Sequence, residues 1–404
     1  MKLFVEKRLL LLIFSLMLAV SLVLVGCDQA ETAEPAAEPV AEVDQHSDDH
    51  QNDDHHDDDH HDDESDHHDD DPHHDDDDDH HDNDGDHHDD DDHHHDEDDD
   101  HHDDAEMLAL PALAAIDLGD GKLRVVATTS IIGDIVSRVG GDAIELTILM
   151  GPGVDAHSYQ ASAAELTAVA DAHVVFINGW DLEEGLIHDL ENIAEGIPLV
   201  PVSANIKPLA FAEDDDGHDD AHDHEADPHT WFNPHLVEQW VENIEHALHD
   251  LDPANEELYE ANAAAYLEEL EELIAYIEAR VAEIPVERRK LVTNHDTFGY
   301  FAQEYGFEVV GTIIPSVSTV AEPSARELAQ LVDRMQAEGV CTIFTESVAS
   351  EQLARAVTEE LTDCAEVQVL RLFTDAVGEA GSGAETYLDM MRINIDTIVT
   401  GLVQ

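Results

Sequence analysis

Basic side chains are few in this chain. Its 404 residues hold 16 Lys and Arg against 97 Asp and Glu, a formal net charge of −81. Such a surface repels phosphate backbones and anionic lipid headgroups, which excludes nucleic acid as a partner and makes cations the natural ones. A saline habitat accounts for the surface charge equally well. Cysteine is scarcer still, at 3 residues, none of them in a Cys-x-x-Cys or Cys/His spacing. Structural zinc held through sulfur is thereby removed. No His-Glu-x-x-His stretch occurs either, so the general-base arrangement of the common zinc peptidases is missing.

Aspartate and histidine are what it has in excess. Between Asp44 and Asp104 the chain is almost nothing else, in runs such as Asp53-Asp54-His55-His56-Asp57-Asp58-Asp59-His60-His61, and 19 of the 30 His precede residue 105. With no apolar side chains to bury, the tract cannot offset the entropy of ordering and is expected to be disordered. An acidic run alone reads as a solvated tail, and a short uniform His run as a tag. Paired imidazoles dispersed among carboxylates over some sixty residues instead suit weak, unselective capture of zinc, with copper and nickel as competitors. Of the 97 acidic residues 40 precede residue 105, which leaves 57 acidic against 13 basic side chains beyond it. The remainder is therefore acidic in its own right.

The amino terminus carries Lys2, Lys7 and Arg8 and then an apolar stretch over 9–25, the pattern of an export signal. It ends in Leu24-Val25-Gly26-Cys27, which resembles a bacterial lipobox with Cys27 as the lipidated first residue of the mature protein. An uncleaved membrane-spanning helix is the alternative, since about 17 apolar residues is the lower limit for crossing a bilayer. Either way the rest of the chain is expected outside the cytoplasm, tethered to a membrane. Asp28 is compatible with inner-membrane retention in a double-membraned cell. Cys341 and Cys364 each stand at the head of an apolar run. Neighbouring parallel strands could join them as a disulfide in an exported protein, free buried thiols being the alternative.

From Leu123 short apolar runs alternate with amphipathic stretches. Residues 123–129, 144–150, 174–178 and 199–202 are rich in Val and Ile and bounded by Gly, Pro or Asp, which predicts buried strands. Helices are predicted between them at 131–139, 161–170 and 182–193, with another at 235–251. A second series predicts strands at 291–293, 309–314, 342–345 and 367–373 and helices at 297–305, 324–338, 350–361 and 384–402. This alternation predicts an α/β fold of two parallel-sheet lobes. Between them, Leu258, Leu267, Leu270, Leu273, Ile277 and Val281 recur at helical spacing with no Gly or internal Pro. One rigid helix of roughly 30 residues, about 45 Å long, is expected. Charges crowd too much of its surface for a coiled-coil seam. The expected division is 1–27 signal peptide and lipobox, 28–122 disordered spacer, 123–252 first lobe with an acidic His-rich loop at 213–226, 253–284 connecting helix and 285–404 second lobe.

Four segments carry polar residues next to these elements: Gly-Pro-Gly-Val-Asp-Ala-His157-Ser-Tyr, Asp-Pro-His229-Thr-Trp, Asn-His295-Asp-Thr-Phe-Gly-Tyr-Phe and Phe-Thr-Asp375-Ala. Singly, a His near a strand end is more often a hydrogen-bonded core or surface residue, and an Asp there a helix cap. Together they offer two groups from each lobe. Three imidazoles and a carboxylate could therefore complete a tetrahedral metal shell in the interlobe cleft.

With Phe-Thr-Glu346-Ser and the long helix in order between them, these pieces resemble the metal-binding solute-binding lipoproteins of bacterial ABC importers for zinc and manganese. The resemblance runs from residue 123 to the carboxyl end. It implies that His157, His229, His295 and Asp375 bind the ion, with Glu346 in a supporting or packing role. Where the family usually has Pro before the first His this chain has Ala156, which should loosen that loop without removing the ligand. Zinc-specific members carry a His- and acid-rich insert before the second ligand, and 213–225 stands in that place with His218, His222 and His224 as weak accessory ligands. An ordinary acidic loop is the alternative.

Three His and one Asp imply zinc (Zn2+) as the cargo. Manganese (Mn2+) sites in the family tend to carry two His and two carboxylates, as a harder ion prefers. Manganese remains the second reading, because a bidentate Asp375 and a water could raise the coordination number. The resemblance further implies a membrane permease and its cytosolic ATPase as partners, a monomer, and no enzymatic activity. A zinc hydrolase and an extracellular adhesin are the readings from other classes.

Overall fold

The computed structural model describes residues 107–194, 196–210, 226–347 and 352–403. The signal segment, Cys27, the Asp/His tract, and His218, His222 and His224 lie outside the described residues. The first lobe runs β1 (Leu123–Ala127), α1 (Ser130–Gly140), β2 (Ile144–Ile148), α2 (Ala163–Ala170), β3 (Val174–Ile177), α3 (Glu184–Ile193) and β4 (Leu199–Pro201). Its four strands form one parallel sheet in the order β2-β1-β3-β4. β3 reads Val-Val-Phe-Ile and is buried throughout, as a parallel strand covered on both faces requires. Pro201 is tolerated because β4 is an edge strand. β1 ends before Thr129, whose Oγ1 accepts from Ile132 N at 3.2 Å and caps α1. The hydroxyl residues that looked like the end of a strand belong to the helix entry.

Two long helices follow, α4 (Pro234–Leu251) and α5 (Glu256–Val281). The connecting helix is 26 residues long rather than roughly 30, because Pro253 opens a separate turn, Pro253–Asn255. At its other end Pro285 disfavours helical backbone at Ile284. α5 is no bare strut. Tyr259, Tyr266, Leu270, Leu273 and Ile277 are buried along it, against α1 and α4 on the first-lobe side and against the last helix of the chain on the other.

The second lobe runs β5 (Lys290–Thr293), α6 (Gly299–Tyr305), β6 (Glu308–Thr312), α7 (Ala325–Glu338), β7 (Thr342–Glu346), α8 (Gln352–Glu360), β8 (Gln368–Leu372) and α9 (Tyr387–Leu402). Its strands form two parallel pairs, β5-β6 and β7-β8, which abut along β5 and β7. One apolar core joins Leu123 and Phe176 of the first lobe to Phe344, Leu372 and Tyr387 of the second. Cys341, at the head of β7, is disulfide-bonded to Cys364, before β8, with Cα atoms 5.8 Å apart.

The expected spacer boundary at 122 needs correction. Leu110, Leu113, Ile116 and Leu118 pack against the core, Ile116 N donates to Leu251 O at 2.9 Å, and Asn205 N donates to Leu108 O at 2.8 Å. Residues 107–118 alternate Leu or Ile with small residues, apolar area the acidic tract lacks, and that area docks them on the first lobe.

Candidate metal centre

Each candidate ligand sits where the backbone has left a regular element and is re-tied by short-range bonds. His157 lies in the loop after β2, where Asp155 Oδ1 accepts its N–H at 3.0 Å. His229 repeats the device: Asp227 Oδ1 accepts His229 N at 2.9 Å, and Asn178 Nδ2 holds the intervening Pro228 carbonyl at 2.9 Å. His295 follows β5 directly, with its N–H donated to Glu346 Oε1 at 3.1 Å and its carbonyl taking Thr293 Oγ1 at 2.9 Å. Asp375 follows β8, and Trp231 Nε1 donates to the preceding Thr374 carbonyl at 2.9 Å. Three of the four thus lie beyond the carboxyl ends of parallel strands, the edge where open α/β sheets place ligands.

The structure brings all four together. One ligand atom from each of His157, His229, His295 and Asp375 lies within 4.8 Å of the others, and the four residues are 0–3% exposed. The Nε2 atom of His229 stands 3.4 Å from that of His157 and 3.2 Å from that of His295. A tetrahedron with zinc–nitrogen bonds near 2.05 Å has edges of about 3.3 Å. Asp375 Oδ1 is 3.8 Å from Nε2 of both His229 and His295 and has no hydrogen-bond partner although it is buried. A buried carboxylate oxygen without a donor is costly; a cation at the centre of this cluster satisfies it.

The outward ring nitrogens are equally ordered. His157 Nδ1 faces Glu184 Oε1 at 3.3 Å, His229 Nδ1 faces Asp227 Oδ1 at 2.8 Å, and His295 Nδ1 is bonded to Glu346 Oε1. An Nδ1–H donated to a carboxylate leaves the Nε2 lone pair pointing inward, the tautomer that metal ligation needs. Glu346 thus contacts His295 twice, at its backbone N–H and at Nδ1. Gly185 matters to the first pair, since a Cβ there would run into the Tyr159 carbonyl; its absence lets the start of α3 bring Glu184 up to His157.

Electrostatics divide the histidines. Burial, with His295 and His157 alongside, holds His229 well below the ordinary imidazole range. Burial also lowers His295, but the Glu346 and Asp375 carboxylates outweigh it and hold the imidazole at about 9. Asp375 is pushed up to about 6 by burial, against the pull of His295. Burial likewise raises Asp227 to about 7, and the bond to His157 lowers Glu184. The cluster therefore favours positive charge at its centre, a proton on His295 or a divalent cation in its place.

Of the supporting residues, Asp155 and Asp227 stood inside the quoted motifs and share an Asp-x-His spacing that could have singled them out. Glu184 had no such signal, being one of several acids at the start of a predicted helix.

The profile of a family described as zinc-uptake complex component A, periplasmic, matches residues 125–401. The manganese-binding lipoprotein MntA of Halalkalibacterium halodurans is 35% identical over 287 residues, covering 71% of this chain and 90% of that relative. The zinc-binding protein TroA of Treponema pallidum is 34% identical over 290 residues, at 70% and 90% coverage. Its solved structure matches with a TM-score of 0.63 at 32% identity, over 70% of this chain and 100% of that one. A Mn-bound periplasmic metal binding protein from candidatus liberibacter asiaticus matches with a TM-score of 0.61 at 30% identity, again over 70% and 100%.

Proposed function

Because the chain belongs to the family of periplasmic component A of zinc-uptake complexes, we propose that it is an extracytoplasmic solute-binding protein that captures zinc and delivers it to an ABC-type importer. His157, His229, His295 and Asp375 hold the ion. The observation that carries this reading is the convergence of three carboxylate-backed imidazoles on one buried, partnerless carboxylate oxygen. Three nitrogens and one oxygen suit zinc better than manganese. Manganese is the second reading, supported by the relative named for it at 35% identity. A hydrolase is disfavoured because four protein ligands leave no open position for water. In this reading Cys27 carries a lipid anchor, the protein is a monomer, and its partners are the permease with its cytosolic ATPase. The Asp/His tract and His218, His222 and His224 raise local zinc without forming the tight site.

Titration calorimetry at pH 7.5 with zinc and manganese in competition tests the assignment. One tight zinc event and several weak ones are expected, and only the weak ones disappear when residues 46–104 are deleted. Manganese displacing zinc at equal concentration would reverse the choice of metal. Zinc-dependent ester or peptide hydrolysis abolished by His295→Ala would replace the transport reading with an enzymatic one.

The affinity also has a definite pH sign. With His295 held at about 9, binding near neutrality must expel about one proton. Apparent zinc affinity is expected to fall about tenfold per pH unit below 9, and more steeply below the Asp375 value of about 6. Titrations in buffers of different ionisation enthalpy should read about one proton released per zinc at pH 7.5; a pH-independent affinity would contradict it. Glu346→Gln removes the charge that backs His295 while keeping an acceptor, and is expected to weaken zinc binding about 10- to 100-fold in a chelator competition.

A further inference from the structure

The four candidate ligands are 0–3% exposed, so an ion reaches or leaves them only if one wall of the cleft opens. The walls are tied differently. Beside His229 and Asp375 the bonds between lobes run through buried side chains: Trp231 Nε1 donates to Thr374 O at 2.9 Å, Tyr387 OH to Trp231 O at 2.7 Å, and Tyr300 OH to Asp227 O at 2.8 Å. Beside His157 the ties are half-exposed. Thr319 Oγ1 donates to Asp155 Oδ2 at 2.7 Å, and Ser318 lies beside Glu184, where it helps to hold that carboxyl below its usual range. Both carboxylates also hold His157, Asp155 through its N–H at 3.0 Å and Glu184 through Nδ1 at 3.3 Å. Asp155, Ser318 and Thr319 are all partly exposed, so water competes for these bonds and not for the buried ones. Local opening belongs to the less buried seam.

We propose that Thr319, on the segment between β6 and α7, is a positioning residue for His157: acting through Asp155, it latches the loop of the first ligand to the second lobe and sets the rate at which zinc leaves. Asp155 has three donors, His157 N, Ser158 Oγ and Thr319 Oγ1. The first two are local to its own loop, so losing the third leaves that loop folded and removes its side-chain tie across the cleft, the backbone bond from Gly153 N to Val377 O at 3.2 Å remaining. Release then begins with withdrawal of His157, while His229, His295 and Asp375 stay fixed by their buried bonds.

This inference rests on the zinc-capture reading, and the two can fail separately. The zinc-loaded protein is mixed with excess chelator in a stopped-flow instrument, and the metal-free thermal midpoint is recorded alongside. Thr319→Val is expected to release zinc on the order of tenfold faster, the scale of a supporting bond lost at a metal ligand. Thr319→Ser, which keeps the hydroxyl, should release at the native rate, and the metal-free midpoint should not move in either. In a His157→Ala background Thr319→Val should leave the rate unchanged, because the residue through which it acts is gone. A native rate in Thr319→Val, or equal acceleration with and without His157, overturns the latch while leaving zinc capture standing. Absence of any tight zinc event in the native protein overturns both.

Discussion

Asp375→Ala will remove the tight zinc event and most of the thermal stabilisation that zinc confers. Asp375 supplies the only ligand oxygen of the cluster, and that oxygen is buried and without a donor. Structural zinc sites are worth about 10–16 kcal/mol over four ligands, or about 3 kcal/mol each, so one deletion weakens binding on the order of 100-fold or more. At zinc a thousandfold above the native dissociation constant, the native fold gains about 4.1 kcal/mol. A variant weakened about 100-fold gains about 1.4 kcal/mol at the same concentration. Differential scanning calorimetry with and without zinc reads the difference directly. His295→Ala should behave alike, since its ring lies 3.2 Å from His229 at Nε2 and 3.8 Å from Asp375 Oδ1. An Asp375→Ala protein that kept the native zinc-induced shift would remove Asp375 from the site.

The supporting shell was less legible in the sequence than the ligands, for a physical reason. Strands such as Val174–Ile177 announce themselves because a doubly covered parallel strand must be apolar throughout. The four candidate ligands could be placed because each stands in a short motif beside such an element, and the resemblance to metal-binding importer proteins joined them into one candidate site. Glu184 was opaque. It reaches His157 only because α3 approaches the 157–159 backbone at Gly185, a tertiary contact with no periodic trace. Thr319 was opaque for the same cause, lying 164 residues from Asp155. The apolar residues 107–118 were legible in principle. Their Leu and Ile stood against an acidic background, and the compositional boundary was drawn at the first strand instead.

Removing the disulfide should give the largest loss of stability unconnected with metal. Cys341 and Cys364 are separated by 23 residues, and closing a loop of that size restricts the unfolded chain by about 3 kcal/mol in the chain-entropy treatment. The closed loop contains β7 with Glu346, and α8, so its constraint falls on the segment that backs His295. For a cooperative unit of about 300 residues, with an unfolding entropy near 2.1 cal/mol/K per residue, 3 kcal/mol corresponds to a midpoint lowered by about 5 °C. The double variant Cys341→Ser/Cys364→Ser, scanned without metal, and the native protein scanned with a reductant should agree. Zinc affinity should change far less than stability. Glu346 is held in register by the pairing of β7 with β8, in which it stands opposite Leu372, and that ladder does not require the sulfur bond. A midpoint unchanged in both experiments would mean that the loop is already restricted in the unfolded chain. A large loss of zinc affinity would mean that the bridge, rather than the ladder, holds Glu346 against His295.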